Sequence, residues 1–195
     1  MPTSTLNDLA ATSWADMCAR DHFVQFYDDD PTIIETVAGY FAFGLRFGEG
    51  CVLVGMRSHN ADIVLNMRGI GCDVDAALAD GQLIVFDAEE LLPKFMVAGM
   101  PDKDAFDNVV GKVISDATRS SKPPRVFGEM VGVLTERGEA EAAIALERSW
   151  NQLAKRMEFR LFCAYSNEAL RHAQTAGVAN DICASHSQVI GWCAP

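Results

Sequence analysis

A chain of 195 residues, 49% hydrophobic and 22% charged, has the material for one domain with a sizeable core and is too apolar for wholesale disorder. Its net charge of −11 sets an acidic surface against phosphate backbones, and the one short basic cluster, Arg119 to Lys122, reads as a loop, so direct nucleic-acid binding is not expected. Residues 1–20 lack the basic start and continuous apolar core of a signal peptide and no stretch reaches the length of a membrane span, so the expected location is cytoplasmic, without membrane contact, and the six cysteines are expected to be reduced.

The pattern begins with a short helix over residues 3–20, with Leu6, Leu9, Ala10 and Trp14 on its apolar side. His22 to Tyr27 is strand-like and stops at Asp28-Asp29-Asp30-Pro31, where Asp30 is the expected N-cap and Pro31 the first helical residue. The helix carries Ile33, Ile34, Val37, Tyr40, Phe41 and Leu45 and ends near Gly48 or Gly50. Cys51 to Met56 is a continuous apolar run suited to a central parallel strand. Ser58 is the expected cap of the next helix, which runs to about Met67. Gln82 to Asp87 is a third strand, followed by a helix with Leu91, Leu92, Phe95 and Met96, a turn at Gly99 to Asp102, and a helix from Asp104 to about Ser120.

Pro123-Pro124 blocks further helix before the strand that opens at Arg125. Glu129 falls at the carboxyl end of that strand, the end at which open α/β sheets bind ligands, and a carboxylate buried there needs a cation, a proton or solvent. Downstream, Ala143, Leu146, Trp150, Leu153 and Met157 share one helix face, flanked by Glu147 and Asn151. Phe159 to Tyr165 is a fifth strand, and Asn167 starts a short helix. Strands alternating with helices predict a three-layer α/β domain with a mainly parallel sheet of about five to six strands. The expected organisation is an N-terminal helical segment over 1–20, the α/β domain over 21–172 and a tail over 173–195, docked through Ile182, Val189, Ile190 and Trp192.

Several chemistries lack their residues. The first strand-to-helix turn, Tyr27 to Thr32, has neither glycine nor lysine to cradle a triphosphate, and its three carboxylates would meet one with like charge, so ordinary ATP binding there is disfavoured. No Gly-x-Ser-x-Gly elbow and no paired zinc histidines occur. His59 and His172 read as solvated helix residues and His22 as a structural histidine at a strand start, while Cys51 and Cys163 read as core fillers. Cys183 and His186 have a two-ligand spacing that is only half a metal site, so no metal ligands are assigned.

The segments 22–29, 44–55, 71–96, 99–102, 126–134, 146–153, 162–170 and 182–190 occur in the order of the MEDS family, the methanogen/methylotroph sensory domain, which the chain resembles from about His22 to about Ile190. The most specific motifs are Phe127-Gly128-Glu129-Met130 and Leu146-Glu147 with Trp150-Asn151. The resemblance implies a RecA-like domain, related to circadian-clock-type ATPases, that has lost its phosphate-binding loop. It also implies a non-enzymatic sensory role toward a small organic ligand, for instance a hydrocarbon derivative. The signal is expected to pass in trans to a histidine kinase or transcriptional regulator, and a homo-oligomer is compatible with it. No cofactor is named by the sequence.

Residues at strand ends and on the tryptophan helix make the expected ligand site: Tyr27, Phe127 and Trp150 as walls, Arg125, Glu129 and Asn151 as polar contacts, with His22, Asp87, Tyr165 and His186. Two other readings stand beside it. One is an interaction adaptor on an inactive ATPase scaffold that binds nothing small. The other is a metal or redox sensor using His22, Cys163, Cys183 and His186, which no spacing brings together. An enzyme with Glu129 as general base or metal-holding carboxylate ranks last.

Overall fold

The computed structural model describes residues 14–119, 121–172 and 176–191. The strand β1 (His22–Tyr27) leads to α1 (Asp30–Arg46), β2 (Cys51–Gly55), α2 (Arg57–Gly69), α3 (Val74–Ala79) and β3 (Leu83–Asp87). Then follow α4 (Ala88–Leu91), a 3-10 turn (Leu92–Lys94), a small hairpin β4 (Met96–Val97) and β5 (Met100–Pro101), and α5 (Lys103–Ala117). The second half holds β6 (Arg125–Gly128), α6 (Met130–Glu136), α7 (Ala140–Ala154), β7 (Arg160–Ser166), α8 (Asn167–His172), α9 (Ala176–Ser185) and β8 (Gln188–Ile190).

Six strands form one sheet in the order β3-β2-β6-β7-β1-β8, every pairing parallel, so the expected α/β class and parallel sheet are observed. Alternate strand residues feed two cores. Val24, Val52, Val54, Val126, Leu161 and Cys163 face α4 to α7 and α9, with Trp150 at the centre of that layer. Phe23, Leu53, Phe127 and Phe162 face α1, α2 and α3 on the other side. The segment over 173–195 supplies α9 and the edge strand β8, which pairs with β1 at Phe23–Gln25. Leu6, Leu9, Ala10 and Trp192 lie outside the described residues, whereas Trp14 is buried against Tyr40, Phe23 and Phe162.

Local boundaries differ where several residues compete for one role. Asp29, not Asp30, caps α1, accepting from the Thr32 N–H at 2.9 Å, which leaves Asp30 and Pro31 inside the first turn. Met56 precedes α2 with no side-chain cap, so Ser58 is already helical. The helix expected over Leu91 to Met96 is cut short by Pro93 and gives way to the hairpin. The short helix α3 is capped by Asp73 and has only two buried residues, too few for an apolar periodicity.

Candidate functional site

The chain leaves β2 toward β3 on one side and leaves β6 toward β7 on the other. These diverging crossovers put the switch point of the sheet, the crevice position of open α/β folds, between the carboxyl ends of β2 and β6, the place where such sheets hold ligands. Glu129 stands there. Its N–H donates to Val54 O at 2.9 Å, its Oε2 accepts from the Met56 N–H at 2.8 Å, and its Oε1 lies 2.6 Å from His59 Nδ1. Gly55 ends β2 with no room for a larger residue, since a Cβ would stand 2.7 Å from Asn60 Oδ1 and 3.1 Å from Glu129 Oε2. Asn60 donates to the carbonyls of Gly55 and Phe86, each at 2.9 Å, and these bonds fix its Oδ1 as a buried acceptor without a partner.

Further charge converges on this point. Asp30 lies 3.5 Å from His59 Nε2. The bond to Glu129 outweighs burial and lifts His59 to about 9, so it is an imidazolium at neutral pH. Burial, then the charge of Glu129, pushes the Glu136 carboxyl up, and the same two causes push the Tyr27 phenol up. Glu136 also lines an open cleft of about 540 Å³ with Thr135, Arg137, Gly138, Ser166 and Glu168. Asp87 sits at the end of β3, in register with Gly55, where it caps α4 and meets Arg57 at 3.1 Å. Three carboxylates around one imidazolium, with an unpaired amide oxygen, make a centre rich in acceptors.

A second centre lies between the sheet and α7, beneath the link from α9 to β8. Glu147 is fully buried there. Its Oε1 accepts from the Tyr165 hydroxyl at 2.6 Å and lies 3.4 Å from His186 Nε2, and its Oε2 lies 3.3 Å from His22 Nε2. His22 Nε2 is also 3.3 Å from Cys163 Sγ, and its Nδ1 meets Asn151 Oδ1 at 3.1 Å. Because Asn151 Nδ2 donates to Ser185 O, its Oδ1 must accept, so His22 Nδ1 carries a proton. His186 Nδ1 likewise donates to Ile182 O at 2.6 Å. Both Nε2 atoms therefore turn toward Glu147 and Cys163. Burial would raise Glu147, yet the two imidazoles hold it well below the usual carboxylate range.

Cys163, His22 and Asn151 have the connectivity of a thiol–imidazole–amide triad, but the surroundings oppose nucleophilic chemistry. Cys163 is wholly buried, and burial followed by the charge of Glu147 raises its thiol well above the ordinary value.

The expected site residues thus divide. Tyr27, Asp87 and Glu129 gather at the carboxyl edge, and His22, Asn151, Tyr165 and His186 gather around Glu147. Arg125 is at the opposite, amino end of β6, where its Nε meets Glu49 at 2.6 Å and its Nη2 donates to Trp14 O at 2.9 Å. It lies between Tyr40 and Phe43, passing through space that Gly44 leaves open. Phe127 and Trp150 are core residues on opposite faces of the sheet. A groove of about 1000 Å³ between α1, α2 and α3 is lined by none of the ten.

His59 and Asn60 escaped the sequence reading. The apolar spacing of α2 leaves His59 on an apparent surface, yet it is buried against Glu129, a correction to its reading as solvated. The available signal was position, since both residues lie in the first turn after a parallel strand. Cys163 is buried as expected but also faces a polar cluster.

The family model described as MEDS, the MEthanogen/methylotroph, DcmR Sensory domain, matches residues 21–187. No curated protein matches the chain.

Proposed function

The chain belongs to the MEDS family of sensory domains, and on that premise we propose that it senses a small organic ligand in the crevice between β2 and β6 and passes the signal to a partner protein. The observation that carries this reading is the buried, partnerless Asn60 Oδ1 beside Glu129, at the point where crossovers diverge. A buried acceptor without a donor costs free energy that a ligand hydroxyl or ammonium would recover. Asp30, Glu129 and Glu136 exceed the charge of His59, which favours a donor-bearing or cationic head group. The ligand class is a small hydrocarbon derivative of that kind, an alcohol or an amine, with Tyr27 as the aromatic wall.

The output is a histidine kinase or transcriptional regulator acting in trans, with self-association as an accompanying state. Short-chain alcohols and amines titrated into the protein, followed by ligand-observed NMR, test the input. Binding that is lost in Asn60→Ala and Glu129→Gln supports the reading. Binding unchanged in both variants moves the site elsewhere.

A further inference from the structure

We propose that His22, Glu147, Cys163 and His186 are the four ligands of a zinc-class divalent metal ion, at a site separate from the Glu129 crevice. One donor atom from each lies within 4.8 Å of the others. Zinc bonds of about 2.0–2.3 Å in a tetrahedron place ligand atoms roughly 3.3–3.8 Å apart. The separations of 3.3 Å from His22 Nε2 to Cys163 Sγ and 3.3 Å to Glu147 Oε2 fit that geometry, and His186 completes a set whose ligand atoms all lie within 4.8 Å of one another. The donor set of two imidazoles, a thiol and a carboxylate suits zinc or cobalt(II) better than the oxygen-seeking calcium or magnesium.

The orientation of the ligands is fixed by outer partners. His22 Nδ1 is held by Asn151, His186 Nδ1 by the Ile182 carbonyl, and Glu147 Oε1 by the Tyr165 hydroxyl. This is the arrangement that presents an imidazole lone pair to a metal. Glu147 Oε2 and His186 Nε2 have no hydrogen-bond partner, although both side chains are fully buried. Four acceptors facing one another in a dry interior call for a cation. A divalent ion with one thiolate and one carboxylate is electrically neutral there, and it would take over the charge compensation that Glu147 otherwise draws from the two imidazoles.

With four protein ligands the site is closed, which suits a structural or regulatory ion. His186 comes from the α9–β8 link, while the other three come from β1, α7 and β7, so the ion fastens that link to the sheet.

The test uses the full chain, stripped with chelator under reducing conditions and titrated with Zn²⁺ or Co²⁺ alone. The expected result is one equivalent bound, with cobalt giving tetrahedral ligand-field absorption and a thiolate-to-metal charge-transfer band. Cys163→Ser removes that band and weakens zinc at least about a hundredfold, and Asn151→Ala weakens it by about 10–100-fold. Cys183→Ser, a nearby thiol outside the set, leaves both unchanged. Substoichiometric metal, an octahedral cobalt spectrum, or a charge-transfer band that survives Cys163→Ser overturns the assignment. Should Cys163→Ser fail to fold, the wild-type cobalt spectrum still decides, because a tetrahedral spectrum without a sulfur band excludes Cys163. Alcohol and amine binding in the crevice is scored separately on the same samples, so either site can fail without the other.

Discussion

Glu129 and His59, separated by seventy residues, meet at 2.6 Å across the crevice between β6 and β2. The contact joins the first turns that follow two neighbouring strands, so it ties the chain on both sides of the crevice. It also sets the protonation of the imidazole, which reaches about 9 against the ordinary 6.5.

That shift makes stability pH-dependent. The folded protein keeps the His59 proton where the unfolded chain has lost it, so its contribution is complete below pH 6.5 and is lost as pH rises through about 9. Thermal midpoints measured across this window should fall, and His59→Gln should flatten the fall. Asp30, Glu129, Glu136 and Tyr27 face the same group. The upward shift of Glu136 also lowers stability with rising pH, but from its ordinary value of 4.5 upward, below the His59 window, and Glu136→Gln removes that contribution.

Gly55→Ala places a methyl group 2.7 Å from Asn60 Oδ1 and 3.1 Å from Glu129 Oε2. Both are side-chain atoms rather than backbone, and shifting them strains the hydrogen bonds that hold Asn60 and Glu129, so the fold is expected to survive with a loss of about 1–3 kcal/mol. Crevice binding should be lost in the same NMR titration. A variant that is destabilised but still binds would place the ligand away from Gly55.

Arg125 and Glu49 form a buried pair at 2.6 Å. Arg125→Ala leaves Glu49 with only the longer Arg160 contact at 3.4 Å and frees the Trp14 carbonyl, at an expected cost of about 3 kcal/mol in urea unfolding. Arg125→Lys should recover only part of this, because an ammonium cannot lie flat between Tyr40 and Phe43 while reaching both partners. Neither variant is expected to alter crevice chemistry at the far end of the sheet.

Trp150 packs edge-on to Phe106 and against Phe159, with almost no exposure. Trp150→Ala should cost about 3–5 kcal/mol by opening a cavity. Equilibrium unfolding reads the loss, and a value below about 1 kcal/mol would mean that the neighbouring helices collapse to fill the space.

Legibility in the sequence followed the range of the interaction. The strand Cys51–Gly55 is a continuous apolar run and His22–Tyr27 is rich in β-favouring residues, and both could be read directly. Glu129 was marked by its place at the end of such a run. The cap of α1 was misplaced by one residue because three consecutive aspartates can each serve as a cap. The pairing of His22 with Cys163 spans 141 positions and exists only because β1 inserts beside β7. No periodicity within either segment encodes that neighbour. Arg125 is legible as the opening residue of its strand and was expected as a polar ligand contact, but its actual partners, Glu49 and the Trp14 carbonyl, are brought to it by long-range folding that local pattern does not carry.

The pairing of β8 with Phe23, Val24 and Gln25 hides a hazard. While those three residues of β8 are in place, the flank of β1 is satisfied by its own chain. If they detach, β1 becomes an open edge of apolar side chains with free backbone donors and acceptors, a template for strand addition by a second molecule. Shortening the protein before Gln188 should therefore promote concentration-dependent association, visible by light scattering. Whatever fastens His186 also guards solubility.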